Sequence, residues 1–132
     1  MPLICIFRVG GIGLDTEAVL KGTKLRPYRV EKLNVGRAKT NALHYEISDS
    51  EPVTSSQLAS AIEDFLSNNR DDILFMGRMS GVDGFVLDVG LFMDTSRPMR
   101  TLHFSQSLLK VIADLGVSLE FSAYGSAEAS TD

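Results

Sequence analysis

Apolar and polar positions alternate along this chain with two distinct periods. From residue 85 to 94 the period is two: Phe85, Leu87, Val89, Leu91 and Met93 are all apolar, and Val86, Asp88, Gly90, Phe92 and Asp94 lie between them. That spacing puts the first set on one face of a strand and the second on the other. The run before it, 73–79, is apolar enough to be a second strand, and residues 80–84 have turn composition. The pattern predicts a central hairpin over 73–94. An odd-length loop pairs Met79 with Phe85, Gly77 with Leu87 and Phe75 with Val89. It keeps apolar residues together and sends Arg78 to the other face, diagonal to Asp88.

Residues 3–9 are apolar almost throughout, as in a central strand, with Leu3, Cys5, Phe7 and Val9 on one face and Ile4, Ile6 and Arg8 on the other. Residues 43–48 and 117–124 alternate in the same way. The inward sets are Leu43, Tyr45, Ile47 and Val117, Leu119, Phe121, Ala123. Tyr28, Val30 and Leu33 predict a short edge strand inside the irregular segment 23–42, where Pro27 opposes helix. A helical period governs two stretches. Leu58, Ala61, Ile62, Phe65 and Leu66 form a stripe behind a Thr54/Gln57 capping box. Leu108, Val111, Ile112 and Leu115 form another, behind a Ser105 cap and before Gly116. Asp15 caps a shorter helix that ends at Gly22.

The element order, β-α-β-α-β-β-α-β, predicts one α+β domain over 1–124 with about five mainly antiparallel strands, two to three helices and a ferredoxin-like arrangement. Residues 125–132 are small and polar and read as a disordered tail. The second face of this sheet is unusual. Its central positions, Ile4, Ile6, Leu74, Met76, Val86 and Phe92, are apolar, while Arg8, Arg78 and Asp88 and the outer strands supply polar groups. An open antiparallel face is normally polar throughout. An apolar centre with a polar rim is the layout of a protein interface. These nine residues are the expected binding surface, with a second copy of the chain, as a two-fold dimer, or another protein as the partner.

Composition narrows the field. The chain has 132 residues, 44% apolar and 23% charged, as in an ordinary soluble domain. A net charge of −4 argues against a nucleic-acid or anionic-membrane partner, which calls for a basic face. The basic run Lys21, Lys24, Arg26, Arg29 and Lys32 reads as a solvated loop. A single cysteine, Cys5, permits no internal disulfide and no cysteine zinc cluster. No signal-peptide pattern and no apolar run of membrane-spanning length is present, so the expected compartment is the reducing cytoplasm.

Candidate chemistry is sparse. Gly10-Gly11-Ile12-Gly13 stands between a strand and a helix, the setting of a phosphate loop. Thr16 occupies the place of the third fingerprint glycine, and no GK[ST] follows. The two histidines, His44 and His103, lack metal-ligand spacing. Cys5 lies on the core face of its strand, and the serines at 105 and 107 open a helix rather than a G-x-S-x-G elbow. No catalytic residue, metal or cofactor is assigned.

Three stretches, FRVGGIGLDTEAVL at 7–20, the Leu25-Arg26-Pro27 step and TLHFSQSLLKVIADLGVSLEFSAYG at 101–125, resemble the bacterial family called domain of unknown function 4279. The likeness spans most of the domain and its motifs are structural. It departs where the family carries tryptophan, here Tyr45, and where it carries an acidic residue, here Ser122 and Ala123. The resemblance implies a compact bacterial α+β domain and no known activity. The resemblance leaves function open; the lack of a catalytic constellation and the apolar second sheet face make the expected function a non-enzymatic binding domain, with an immunity-type toxin inhibitor as one form by analogy. The alternative is a small enzyme or ligand-binding protein with a pocket near His44, His103 and segment 23–42.

Overall fold

A computed structural model describes residues 3–48, 52–93 and 99–125. The tail expected at 125–132 lies outside them, apart from Gly125. Five strands and four helices follow in the order β1 (Ile4–Gly11), α1 (Thr16–Gly22), β2 (Arg29–Glu31), β3 (Asn41–Glu46), α2 (Ser55–Asn68), α3 (Arg70–Gly77), β4 (Gly84–Phe92), α4 (Gln106–Asp114) and β5 (Val117–Tyr124). They build one mixed sheet in the order β2-β3-β1-β4-β5. The β1–β3, β1–β4 and β2–β3 pairs are antiparallel, and β4–β5 is parallel.

The expected hairpin at 73–94 does not form. Its first arm is α3, and β4 pairs with β1 instead, Phe7 opposite Leu87 and Val9 opposite Phe85. The reason is physical. A short apolar run carries both periods, and Ile73 and Met76, three residues apart, bury one helical stripe in the core. Asp71 and Asp72 occupy the first turn of α3, where carboxylates suit the helix dipole. Leu74, Met76 and Arg78 therefore leave the second sheet face. Met76 is fully buried, Leu74 packs against the core from the helix layer, and Arg78 ends α3.

The helix starts follow the sequence signals. Asp15 accepts the Ala18 N–H at 3.1 Å, Thr54 and Gln57 form the reciprocal capping box, and Ser105 accepts the Leu108 N–H at 3.1 Å. One core unites the inward strand residues with Val19, Leu58, Ile62, Phe65, Leu66, Ile73, Met76, Leu108 and Ile112 from all four helices. The helices thus occupy one side of the sheet. Phe7 is the hub, its ring 5.3 Å from Phe65, 5.6 Å from Phe85 and 6.2 Å from Tyr45. Tyr45 is buried with its hydroxyl unpartnered among the described residues, and burial pushes its pKa up to about 12.

Segment 23–42 runs along the edge of the sheet rather than across its face. The Asp72 carboxylate accepts the Lys24 and Leu25 N–H groups at 2.8 and 3.0 Å, and the Arg26 guanidinium donates to the carbonyls of Leu20, Thr23 and Leu25. Asn41 accepts the Leu33 N–H and donates to the carbonyls of Ile12 and Leu14. The segment is anchored by side chains where it has little regular structure of its own.

Candidate interaction surface

The side of the sheet away from the helices is ordered in rows by strand register. The central row reads Glu46, Ile6, Asp88, Glu120 from β3 to β5. One row on are Arg29, His44, Arg8, Val86 and Ser118. In the other direction come Ile4, Gly90 and Ser122, and then Phe92 beside Tyr124. Six of the nine expected residues, Ile4, Ile6, Arg8, Val86, Asp88 and Phe92, are thus brought together, all on the adjacent strands β1 and β4. The three from 73–79 are not.

The half of this face over β2 and β3 is closed by its own side chains. The His44 ring nitrogen is hydrogen-bonded to the Glu31 carboxylate, and the Tyr28 ring lies 6.2 Å from the imidazole. His44 and Ala42 are buried beneath this cover. The half over β1, β4 and β5 is open among the described residues. Ile4 is 38% exposed, Tyr124 is 49% exposed, and Ile6, Val86 and Phe92 are half-buried. Phe92 and Tyr124 stack at 5.3 Å. A Cβ at Gly90 would stand 3.3 Å from the Tyr124 ring and 3.5 Å from Ile4, so the missing side chain lets that ring and Ile4 approach over the strand.

Charge divides the open half. Arg8 reaches both acids across the strands, 3.6 Å to Asp88 and 3.2 Å to Glu120. These pairs are partly exposed, so each contributes little to folding, about 0 to 1 kcal/mol. Counting the whole face, Glu31, Glu46, Asp88 and Glu120 outnumber Arg8 and Arg29, and Glu46 is exposed at the end of the central row. The alternation of 117–124 turns Glu120 and Tyr124 outward, with Glu120 at the polar margin of the second face, but neither is among the nine residues expected to bind. Their neighbours Phe92 and Asp88 follow only from the parallel β4–β5 register, which no turn motif announces.

The other candidates separate. His103 sits before α4 on the helix side, its N–H donating to the Ser55 hydroxyl at 2.7 Å, whereas His44 faces the opposite side of the sheet. His103 lines an open cleft of about 370 Å³ with Ser55, Ser60, Glu63, Ser105 and Leu108. The glycine loop is a packing device. The Asp83 N–H donates to the Gly10 carbonyl at 2.9 Å, and a Cβ at Gly11 would stand 1.9 Å from the Gly81 carbonyl oxygen. Gly81 itself has φ +91°, and its Cβ would meet the Gly13 carbonyl oxygen at 2.1 Å. Cys5 is buried, and desolvation first and the Asp88 charge second push its thiol up to about 12, the setting of an inert structural cysteine. Among the described residues no three His, Cys, Asp or Glu side chains converge as metal ligands, and no helix is long and apolar enough to cross a membrane.

No family model, curated protein or solved structure matches the chain. The surface must therefore be read on its own chemistry.

Proposed function

We propose that this protein is a non-enzymatic binding domain whose working surface is the open half of the sheet, formed by Ile4, Ile6, Arg8, Val86, Asp88, Phe92, Glu120 and Tyr124. With every described helix on one side of the mixed sheet, the other side is left to a partner. The observation that carries this reading is the row Ile6, Asp88, Glu120 lying beside the apolar group of exposed Ile4 and Tyr124 and half-buried Phe92. An acidic row against an apolar patch complements a protein that presents basic groups around an apolar protrusion. It opposes stacking of two identical faces, which would set acid against acid. An acidic inhibitor of a basic toxin is one partnership of this kind, by analogy only. The alternative, a ligand-binding or enzymatic site, draws on the His103–Glu63 cleft.

The test is retention of partners from a lysate of the source cells on immobilised parent and on Ile6→Asp, with cross-linked contacts mapped on both. The expected result is a basic protein cross-linked to the β1–β4–β5 face, weakened by salt and lost with Ile6→Asp. Retention unchanged by Ile6→Asp, or contacts mapped to the His103 cleft, would contradict the reading.

A further inference from the structure

The two edges of the sheet differ. β2 offers three residues, follows Pro27, begins with Arg29 and is followed by Lys32, the usual protection of an edge against pairing. β5 offers eight, Val117–Tyr124, with no proline, lysine or arginine, and its register with β4 runs without a bulge from Phe85–Val117 to Phe92–Tyr124. The Met93 N–H donates to the Tyr124 carbonyl at 2.8 Å, so the backbone groups of Tyr124 face β4. Successive residues of a strand point their backbone groups to opposite edges. Those of Leu119, Phe121 and Ala123 therefore face outward, at a sheet edge. Aromatic side chains flank this edge on both sides. Phe121, 53% exposed, lies 6.0 Å from Phe104 on the helix side, and Tyr124 stacks on Phe92 on the other.

We infer that β5 pairs antiparallel with β5 of a second copy of this chain, joining two sheets into one of ten strands about a two-fold axis perpendicular to the sheet. Such an axis keeps each face on its own side, so only residues of like parity can stand opposite. Two central registers satisfy this. Centring on Glu120 sets two carboxylates opposite each other. Centring on Phe121 sets Phe121 against Phe121, Leu119 against Ala123, Glu120 against Ser122 and Ser118 against Tyr124. The second register separates the acids and makes each outward-facing residue part of a hydrogen-bonded pair. Charge thus selects the Phe121 register. The inference goes beyond the open-face reading and does not depend on it, because edge pairing leaves both open faces uncovered.

Sedimentation mass over a range of concentrations, with circular dichroism to confirm folding, tests this on the full chain. The expected parent mass is twice that of the monomer. Phe121→Lys puts two cations at the axis, and Ala123→Pro deletes an outward donor while sparing the β4 ladder. Each should halve the mass with the fold retained. Ile6→Asp, on the open face, should leave the doubled mass unchanged. A parent monomeric at the highest concentration, a dimer that survives both edge substitutions, or one abolished by Ile6→Asp would overturn the proposal.

Discussion

The two faces of the central strands are made from alternate residues of the same segments, yet they meet different demands. On β1, Cys5, Phe7 and Val9, with Leu3 just before it, are buried in the core, while Ile4 is exposed and Ile6 and Arg8 are half-buried. On β4, Phe85, Leu87 and Val89 face the core, and Val86, Asp88 and Phe92 do not. Both faces of these strands carry apolar groups, so hydrophobicity alone does not distinguish them. What distinguishes them is the company each keeps. Inward side chains meet aromatic and aliphatic groups from four helices. Outward ones meet carboxylates, a guanidinium and solvent. An apolar residue is a folding residue on one side and available surface on the other.

The largest effect should expose this asymmetry on neighbouring residues. Phe7→Ala removes the hub of the aromatic core and should destabilise by about 3–5 kcal/mol, the range for large-to-small core changes. Ile6→Ser, one residue away and facing outward, should cost about 1 kcal/mol, because only part of that side chain is removed from water. Urea melts of the two variants check the difference. Equal losses would mean that the outward face is an internal core.

The inward face should also govern the response to alkali. The pKa values of Cys5 and Tyr45 are raised to about 12 by burial, from 9.0 and 10.0. Above pH 9 the unfolded chain therefore binds fewer protons than the native one, and stability falls as pH rises. The contribution is fully present below pH 9 and is lost as pH climbs toward 12. Cys5→Ala should flatten the early part of this decline in melts recorded between pH 8 and 11. The smallest effect belongs to Tyr45→Phe. It removes a buried hydroxyl with no partner among the described residues, so it should be neutral or raise stability by up to about 1 kcal/mol. A clear loss would show that the hydroxyl is bonded.

Much of this was legible in the sequence because it is local. The Asp15, Thr54 and Ser105 caps, the Gly116 stop with its φ of +73°, and the inward sets of β1, β3 and β4 follow from spacing alone. The β5 face parity was legible too, although Phe121 and Ala123 are exposed because they lie at the edge. What failed was non-local. Residues 73–77 satisfy a strand and a helix equally well by apolarity, and the helix wins by burying Ile73 and Met76 in a core that only the folded chain defines. The same error hid the pairing of β4 with β1. On the candidate surface, Ile4, Ile6, Arg8, Val86, Asp88 and Phe92 were recoverable by parity. The closing of the β2–β3 half by Tyr28 and Glu31 was not, since it depends on how an irregular segment meets a sheet edge.

The central claim, that one side of the sheet is a surface and the other a core, has a direct test in the isoleucine methyl groups of the protein. Ile4 and Ile6 report on the open face, and Ile62, Ile73 and Ile112 on the core. With a soluble paramagnetic probe in the NMR sample, the methyl signals of Ile4 and Ile6 should broaden while those of Ile62, Ile73 and Ile112 stay sharp. Methyls of Ile4 and Ile6 as protected as that of Ile62, in a sample that sediments as a monomer, would contradict the account.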